Sequence, residues 1–166
     1  LDTVLKYGFN TSDPLILCLE IFDTSKTDMN IKIRDLLLKT FGDKIWIPNS
    51  PFHLVPIRSL LNKIILVGNK GADKVFDDLF NNGISNVGSD GISSSSLATS
   101  KFSRVYRSDE GIEQVLSLNL NPKPLWDKMH SMIAMNFQMR DKYLYENMKF
   151  FKNSSFVLKP KIEKVR

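Results

Sequence analysis

The sequence predicts an α/β protein with a mainly parallel sheet. Three observations carry this: two unbroken apolar runs of strand length, one long amphipathic helix between them, and a Gly/Ser-rich stretch that divides the chain. A strand covered on both faces reads as a continuous apolar run, which is the mark of a parallel sheet sandwiched by helices. Strand, helix, strand is then a βαβ unit with a right-handed crossover. Alternating elements of this kind close into a (β/α) barrel or spread into an open doubly wound sheet, and periodicity does not choose between the two.

Leu1–Tyr7 carries apolar residues at positions 1, 4 and 5 and is followed by Gly8, the pattern of a closing helix. Ser12-Asp13-Pro14 makes a turn, and Leu15–Ile21 is the first buried-strand run, with Glu20 near its C-terminal end. Met29–Phe41 is the helix. Met29, Ile33, Leu36, Leu37 and Phe41 are expected on one face, with Thr27 or Asp28 as cap and Gly42 as stop. After the loop Pro48–Pro56, Lys63–Gly68 is the second buried strand, and Ala72, Val75, Phe76, Leu79 and Phe80 share a further helical face. Gly83–Ser100, including Ser93-Ser94-Ser95-Ser96, has little to bury and reads as a linker. Beyond it, Gln114–Leu118, Met132–Phe137 and Phe156–Leu158 are strand candidates, and Lys123–His130 is a short helix anchored by Trp126.

With 166 residues, 42% hydrophobic and 25% charged, the composition is that of a globular domain with a real core. No apolar run reaches the roughly 20 residues that span a bilayer, and no secretory leader is expected. Cys18 is alone, so no internal disulfide forms, and it sits in an apolar run as a small hydrophobe. His53 and His130 are the only histidines, which excludes a Cys/His metal cluster. The formal charge of +5, densest over Lys159–Arg166, favours anionic partners, whether nucleic acid or acidic lipid headgroups. The chain opens on Leu1 rather than Met, so it is expected to begin partway through a longer protein.

Several blocks, in order, resemble the catalytic region of eukaryotic phosphoinositide-specific phospholipases C, a distorted (β/α) barrel whose X and Y halves are separated by a variable linker. Pro14–Glu20 resembles the X strand ending in Ser-Leu-Glu, Phe41-Gly42-Asp43-Lys44-Ile45 resembles Phe-Gly-Asp-Lys-Leu, and Leu60–Lys70 resembles the last X strand. Phe102-Ser103-Arg104-Val105-Tyr106 is similar to Leu-Ser-Arg-(Ile/Val)-Tyr. Ser117–Pro122 with Trp126 is similar to Ser-Ser-Asn-Tyr-x-Pro and its Trp. Ile133–Gln138 is similar to Val-Ala-Leu-Asn-Phe-Gln, and Phe156–Pro160 to Tyr-Val-Leu-Lys-Pro. The resemblance implies the second half of a TIM-type (β/α)8 barrel: residues 1–70 as the end of the X half, 71–100 as linker and 101–166 as the Y half.

It also implies a function. The family cleaves phosphatidylinositol bisphosphate to diacylglycerol and inositol trisphosphate in lipid signalling, using calcium and two histidines. By the same resemblance Glu20 is a calcium ligand, a hard oxygen donor suited to that ion. Arg104 contacts a ring phosphate through its guanidinium fork, Tyr106 packs on the inositol ring, and Lys63 aligns with a family lysine on the substrate side. Alternation puts 104 and 106 on one side of a strand. The catalytic histidines and remaining ligands are expected upstream of Leu1, with neither His53 nor His130 in their place. The two lysines that hold headgroup phosphates fall on Val67 and Asn69, and the glycines before the Val-Leu-Lys-Pro block are replaced by Asn153-Ser154-Ser155. These departures leave two expectations: part of an active enzyme, with this chain alone inactive, or a catalytically inactive lipid-binding or scaffolding relative. A third, a complete small α/β protein, would leave exposed sheet edges. The expected partners are a phosphoinositide headgroup, an anionic membrane surface met peripherally from the cytoplasm, and the rest of the barrel, without nucleic acid.

Overall fold

The computed structural model describes residues 1–21, 25–68, 74–81, 84–88, 102–107 and 118–159. It is mixed α/β with parallel sheets, and it divides into two compact units, Leu1–Gly83 and Ile84–Arg166.

The first unit is built on strands β1 (Leu15–Leu19) and β2 (Ile64–Gly68), paired in parallel with Leu15 opposite Ile64 and Leu19 opposite Gly68. Ile64, Ile65, Leu66 and Val67 are all buried, which is what the continuous apolar run demands of a strand covered on both faces. The connection between the strands carries helix α2 (Thr27–Phe41), after the short α1 (Asp2–Tyr7) at the start of the chain. Leu37 and Phe41 of α2 enter a core with Ile45, Ile64, Leu66, Phe76, Leu79 and Phe80. Ile33 packs against that core, whereas Met29 and Leu36, expected on the same face, are exposed. The buried stripe is thus Asn30, Ile33, Leu37 and Phe41, a spacing close to one turn at each step. Neither Thr27 nor Asp28 is the cap; that position is Lys26, whose side chain makes no capping hydrogen bond.

Gly42 ends α2 at φ +52°, where a side chain would be strained. The backbone then makes a 3-10 turn over Gly42–Lys44, and Ile45 bridges to Ile64 while the Trp46 amide donates to the Ile64 carbonyl at 2.8 Å. The Phe-Gly-Asp-Lys block therefore turns the chain from helix back to sheet. In place of the expected helix over 72–80, the described part is a 3-10 turn, Lys74–Phe76, closed by a Phe80 amide to Phe76 carbonyl bond of 2.9 Å. That turn stacks the Phe76 and Phe80 rings at 4.7 Å and lays Phe80 against Gly68.

The second unit holds β3 (Ile84–Gly88), β4 (Phe102–Tyr106) and β5 (Met132–Ile133), all parallel and in the order β3-β4-β5. β3 lies within the stretch read as linker: Ile84 and Val87 supply enough to pair five residues with β4, so the Gly/Ser composition understated what the segment does. Residues 71–73, 82–83 and 89–100 of that stretch, and 114–117 of the expected strand Gln114–Leu118, lie outside the described residues. Of Met132–Phe137 only the first two residues are strand, and Phe156–Leu158 forms none; Leu158 is 95% exposed.

Helix α3 (Lys123–Asp127) follows buried Pro122, and α4 (Lys142–Phe150), which the apolar spacing did not suggest, follows Asp141. Trp126 is the expected anchor: its ring stacks on Phe150 at 4.0 Å and meets Phe151 edge-on at 6.2 Å, joining the two helices. A Lys123–Glu146 ion pair at 3.3 Å lies alongside.

Candidate functional site

The residues singled out for chemistry stand at strand ends, and the end matters because parallel α/β folds place their sites beyond the carboxyl ends of strands. Glu20 follows the last residue of β1 and is exposed. Tyr106 is the last residue of β4, with Arg104 two residues before it. Ser103 and Val105 of β4 are buried, so Arg104 and Tyr106 share the opposite face, as alternation requires. Arg104 is half-buried and Tyr106 is 40% exposed, so a guanidinium and an aromatic ring lie together on one side of one strand.

Lys63 is elsewhere. It precedes β2, level with Pro14 in the strand register, and so sits at the amino end of the sheet, roughly 20 Å along the strands from Glu20. Its ammonium donates to the Asp43 carbonyl at 2.6 Å, tying the turn after α2 to the sheet. The structure therefore does not bring Lys63 and Glu20 together. Val67 is 4% exposed and belongs to the interior of the strand; Asn69 lies outside the described residues, as does the side chain of His53.

On the far face of β4 is a polar pair that sequence reasoning left as a bystander. The Leu125 carbonyl accepts from the His130 amide at 3.0 Å after Met129 turns through φ +64°, a helix-ending arrangement that delivers the imidazole to the sheet. His130 Nδ1 lies 3.1 Å from Ser103 Oγ. The Ser131 amide donates toward the same Oγ at 3.4 Å, and the Ser103 amide donates to Ser131 Oγ at 3.3 Å. Burial, then the positive charges of Lys159 and Lys128, hold His130 below its ordinary pKa of 6.5. A neutral imidazole accepting at Nδ1 from the Ser103 hydroxyl fits this set. The composition is that of a nucleophile and base, but Ser103 is 2% exposed and meets no solvent. The pair fastens β4 to the segment entering β5.

A second network is built from the asparagines of the resembling blocks. Asn119, 5% exposed, donates through Nδ2 to the Asn136 carbonyl (3.2 Å), the Met139 carbonyl (3.0 Å) and Asp141 Oδ1 (3.1 Å). Its Oδ1 accepts from the Asn136 amide at 2.6 Å, and its own amide donates to Asp141 Oδ2 at 3.3 Å. Asp141 also caps α4, accepting from the Leu144 amide at 2.9 Å. Burial pushes the Asp141 carboxyl up, but the hydrogen bonds from Leu144, Asn119 and Tyr143 together outweigh it and hold the group below its ordinary value. The partners are 17 to 22 residues apart in the chain, so no local spacing announces the network.

Ser154 holds the turn before Phe156, its hydroxyl donating to the Phe156 carbonyl at 2.7 Å and accepting from the Phe156 amide at 3.2 Å.

Calcium takes about six to eight oxygen ligands. Among the described residues no group of three or more His, Cys, Asp or Glu side chains could hold a metal ion. No helix among the described residues is long and apolar enough to cross a membrane. No protein-family model matches this chain, and no curated protein matches it.

Proposed function

We propose that this chain is the second half of a (β/α) barrel of the phosphoinositide-specific phospholipase C type, from a calcium-dependent phosphodiesterase that releases diacylglycerol and inositol trisphosphate. The observation that carries the reading is the Arg104–Tyr106 pair. Both side chains occupy one face at the carboxyl end of a parallel strand, inside the block that resembles the family's Ser-Arg-(Ile/Val)-Tyr. Pairing within each unit supports it: β1 with β2, and β3 with β4 with β5, are parallel and in chain order, as neighbouring strands of a barrel would be.

In this role Arg104 holds phosphate oxygens of the headgroup through two parallel N–H donors, and the Tyr106 ring covers the C–H face of the inositol. Glu20 serves as one of several oxygen ligands to calcium, which when bound stabilises negative charge developing on the phosphate. Lys63 is engaged with the Asp43 carbonyl and is assigned no contact with substrate. The protein acts at the cytoplasmic face of a membrane.

Arg104→Ala, made in the protein that carries the complete barrel, tests the assignment. Turnover of phosphatidylinositol bisphosphate is expected to fall more than turnover of plain phosphatidylinositol; equal loss on both removes Arg104 from phosphate binding. Purified 1–166 is expected to show no turnover of either.

One observation favours a second reading, a catalytically inactive lipid-binding relative. Val67 replaces a headgroup lysine with a side chain fixed in the strand interior, so no small rearrangement restores that charge. Absence of turnover by the complete barrel, with headgroup binding retained, selects this alternative.

A further inference from the structure

Helix α4 has two sides of opposite character. At about 100° per residue, Leu144, Glu146, Asn147, Phe150 and Phe151 fall on one half of its circumference. Leu144 is buried, Glu146 pairs with Lys123, and the two phenylalanines meet Trp126. The opposite arc, about 120° wide, holds Lys142, Tyr145, Met148 and Lys149, with Lys152 one turn on, and all five are exposed. Tyr145 is 56% and Met148 52% exposed. The Lys142 ammonium leans back over the Tyr143 ring at 4.8 Å, which leaves Lys149 and Lys152 as the charges flanking the two apolar side chains. The helix's one glutamate, Glu146, borders the stripe beside Lys142 and Lys149 and is paired with Lys123.

We infer that this stripe is a docking surface for an anionic bilayer, with Tyr145 and Met148 entering the headgroup layer and Lys149 and Lys152 pairing with acidic lipid. Complementary charge selects an anionic partner. The exposed ring and thioether select a lipid interface over a purely ionic one, because tyrosine is favoured at headgroup level and Met buries apolar area there. The inference does not depend on the headgroup assignment of Arg104.

The test is co-sedimentation of 1–166 with vesicles that contain no phosphoinositide, made of phosphatidylcholine alone or mixed with phosphatidylserine. Binding is expected to the mixed vesicles only and to weaken with added salt. Lys149→Gln with Lys152→Gln is expected to lower partitioning by on the order of tenfold or more. Tyr145→Ser with Met148→Ser is expected to lower it several-fold, with the thermal unfolding of both double variants close to that of the parent. As an independent readout, Met148→Trp should shift its fluorescence to the blue on adding the mixed vesicles. The inference is overturned by absence of binding, by equal binding to both vesicle types, or by an unshifted emission at position 148. It is also overturned if the Tyr145/Met148 variant binds as the parent does, since a surface that needs only its lysines is a general polyanion site.

Discussion

Replacing Asn119 by Leu keeps nearly the same volume and removes every hydrogen bond made by the Asn119 side chain. Three acceptors lose a donor: the Asn136 carbonyl, the Met139 carbonyl and Asp141 Oδ1, the last keeping the Leu144 amide. The Asn136 amide, now donating at 2.6 Å, loses its acceptor. A neutral hydrogen bond is worth about 1 kcal/mol net and one to a charged group about 1.5–3, and a buried group left unpaired costs up to the upper end of that range. The two amide hydrogens of Asn119 are shared among three acceptors, so the losses do not simply add. A destabilisation of about 3–5 kcal/mol follows. That is a large share of the roughly 5–15 kcal/mol available to a domain. Urea unfolding of the full chain measures it, followed by the emission of Trp126, whose ring stacks on Phe150 of α4. The Asp141–Leu144 cap remains in the variant, so α4 is expected to persist at low denaturant. A loss below about 1 kcal/mol would refute the view that Asn119 organises this unit.

Asp141 is held below its ordinary pKa, so its contribution is present above about pH 4 and is lost as pH falls through the folded value. Asp141→Asn, which still caps a helix, should flatten the acid limb of a stability–pH curve and lower neutral stability, because its NH2 cannot accept as the second carboxylate oxygen does. His130 is also depressed in the fold. The unfolded chain takes up the proton first, and stability falls as pH drops below about 6.5 toward the folded value. His130→Gln should remove that slope between about pH 7 and 5 in the same titration. Gly68→Ala places a methyl against the buried Phe80 ring at the end of β2. Overpacking of this kind costs about 1–3 kcal/mol, read as a lower melting temperature; an unchanged one would mean that Phe80 moves aside freely.

The elements legible in the sequence are those whose signal is local and long. β1 and β2 are continuous apolar runs, and α2 repeats its apolar residues over four turns before Gly42. Even there the choice of face went astray: Met29 and Leu36 match the period but are exposed, while polar Asn30 is buried. A period fixes a stripe only to within the neighbouring residues, and tertiary packing decides its centre. α4 was missed because Tyr and Lys dominate its nine residues, although Asp141 before Leu144 was an available capping signal. β3 was hidden by flanking glycine and serine, and Phe156–Leu158 has strand-like residues but no neighbour to pair with among those described. The site divides in the same way. Arg104 and Tyr106 are two apart on one strand, so alternation alone places them on one face. Ser103 with His130, and Asn119 with Asn136 and Asp141, are joined by the fold across many residues, where spacing carries no information.

The most direct measurement is the amide spectrum of labelled 1–166 titrated with inositol trisphosphate, beside plain inositol as control. Shifts are predicted over Phe102–Arg107 with the trisphosphate, reduced by Arg104→Ala, and much smaller shifts with inositol. An unchanged β4 with the trisphosphate, or identical responses to both ligands, would contradict a headgroup-binding role for Arg104 and Tyr106.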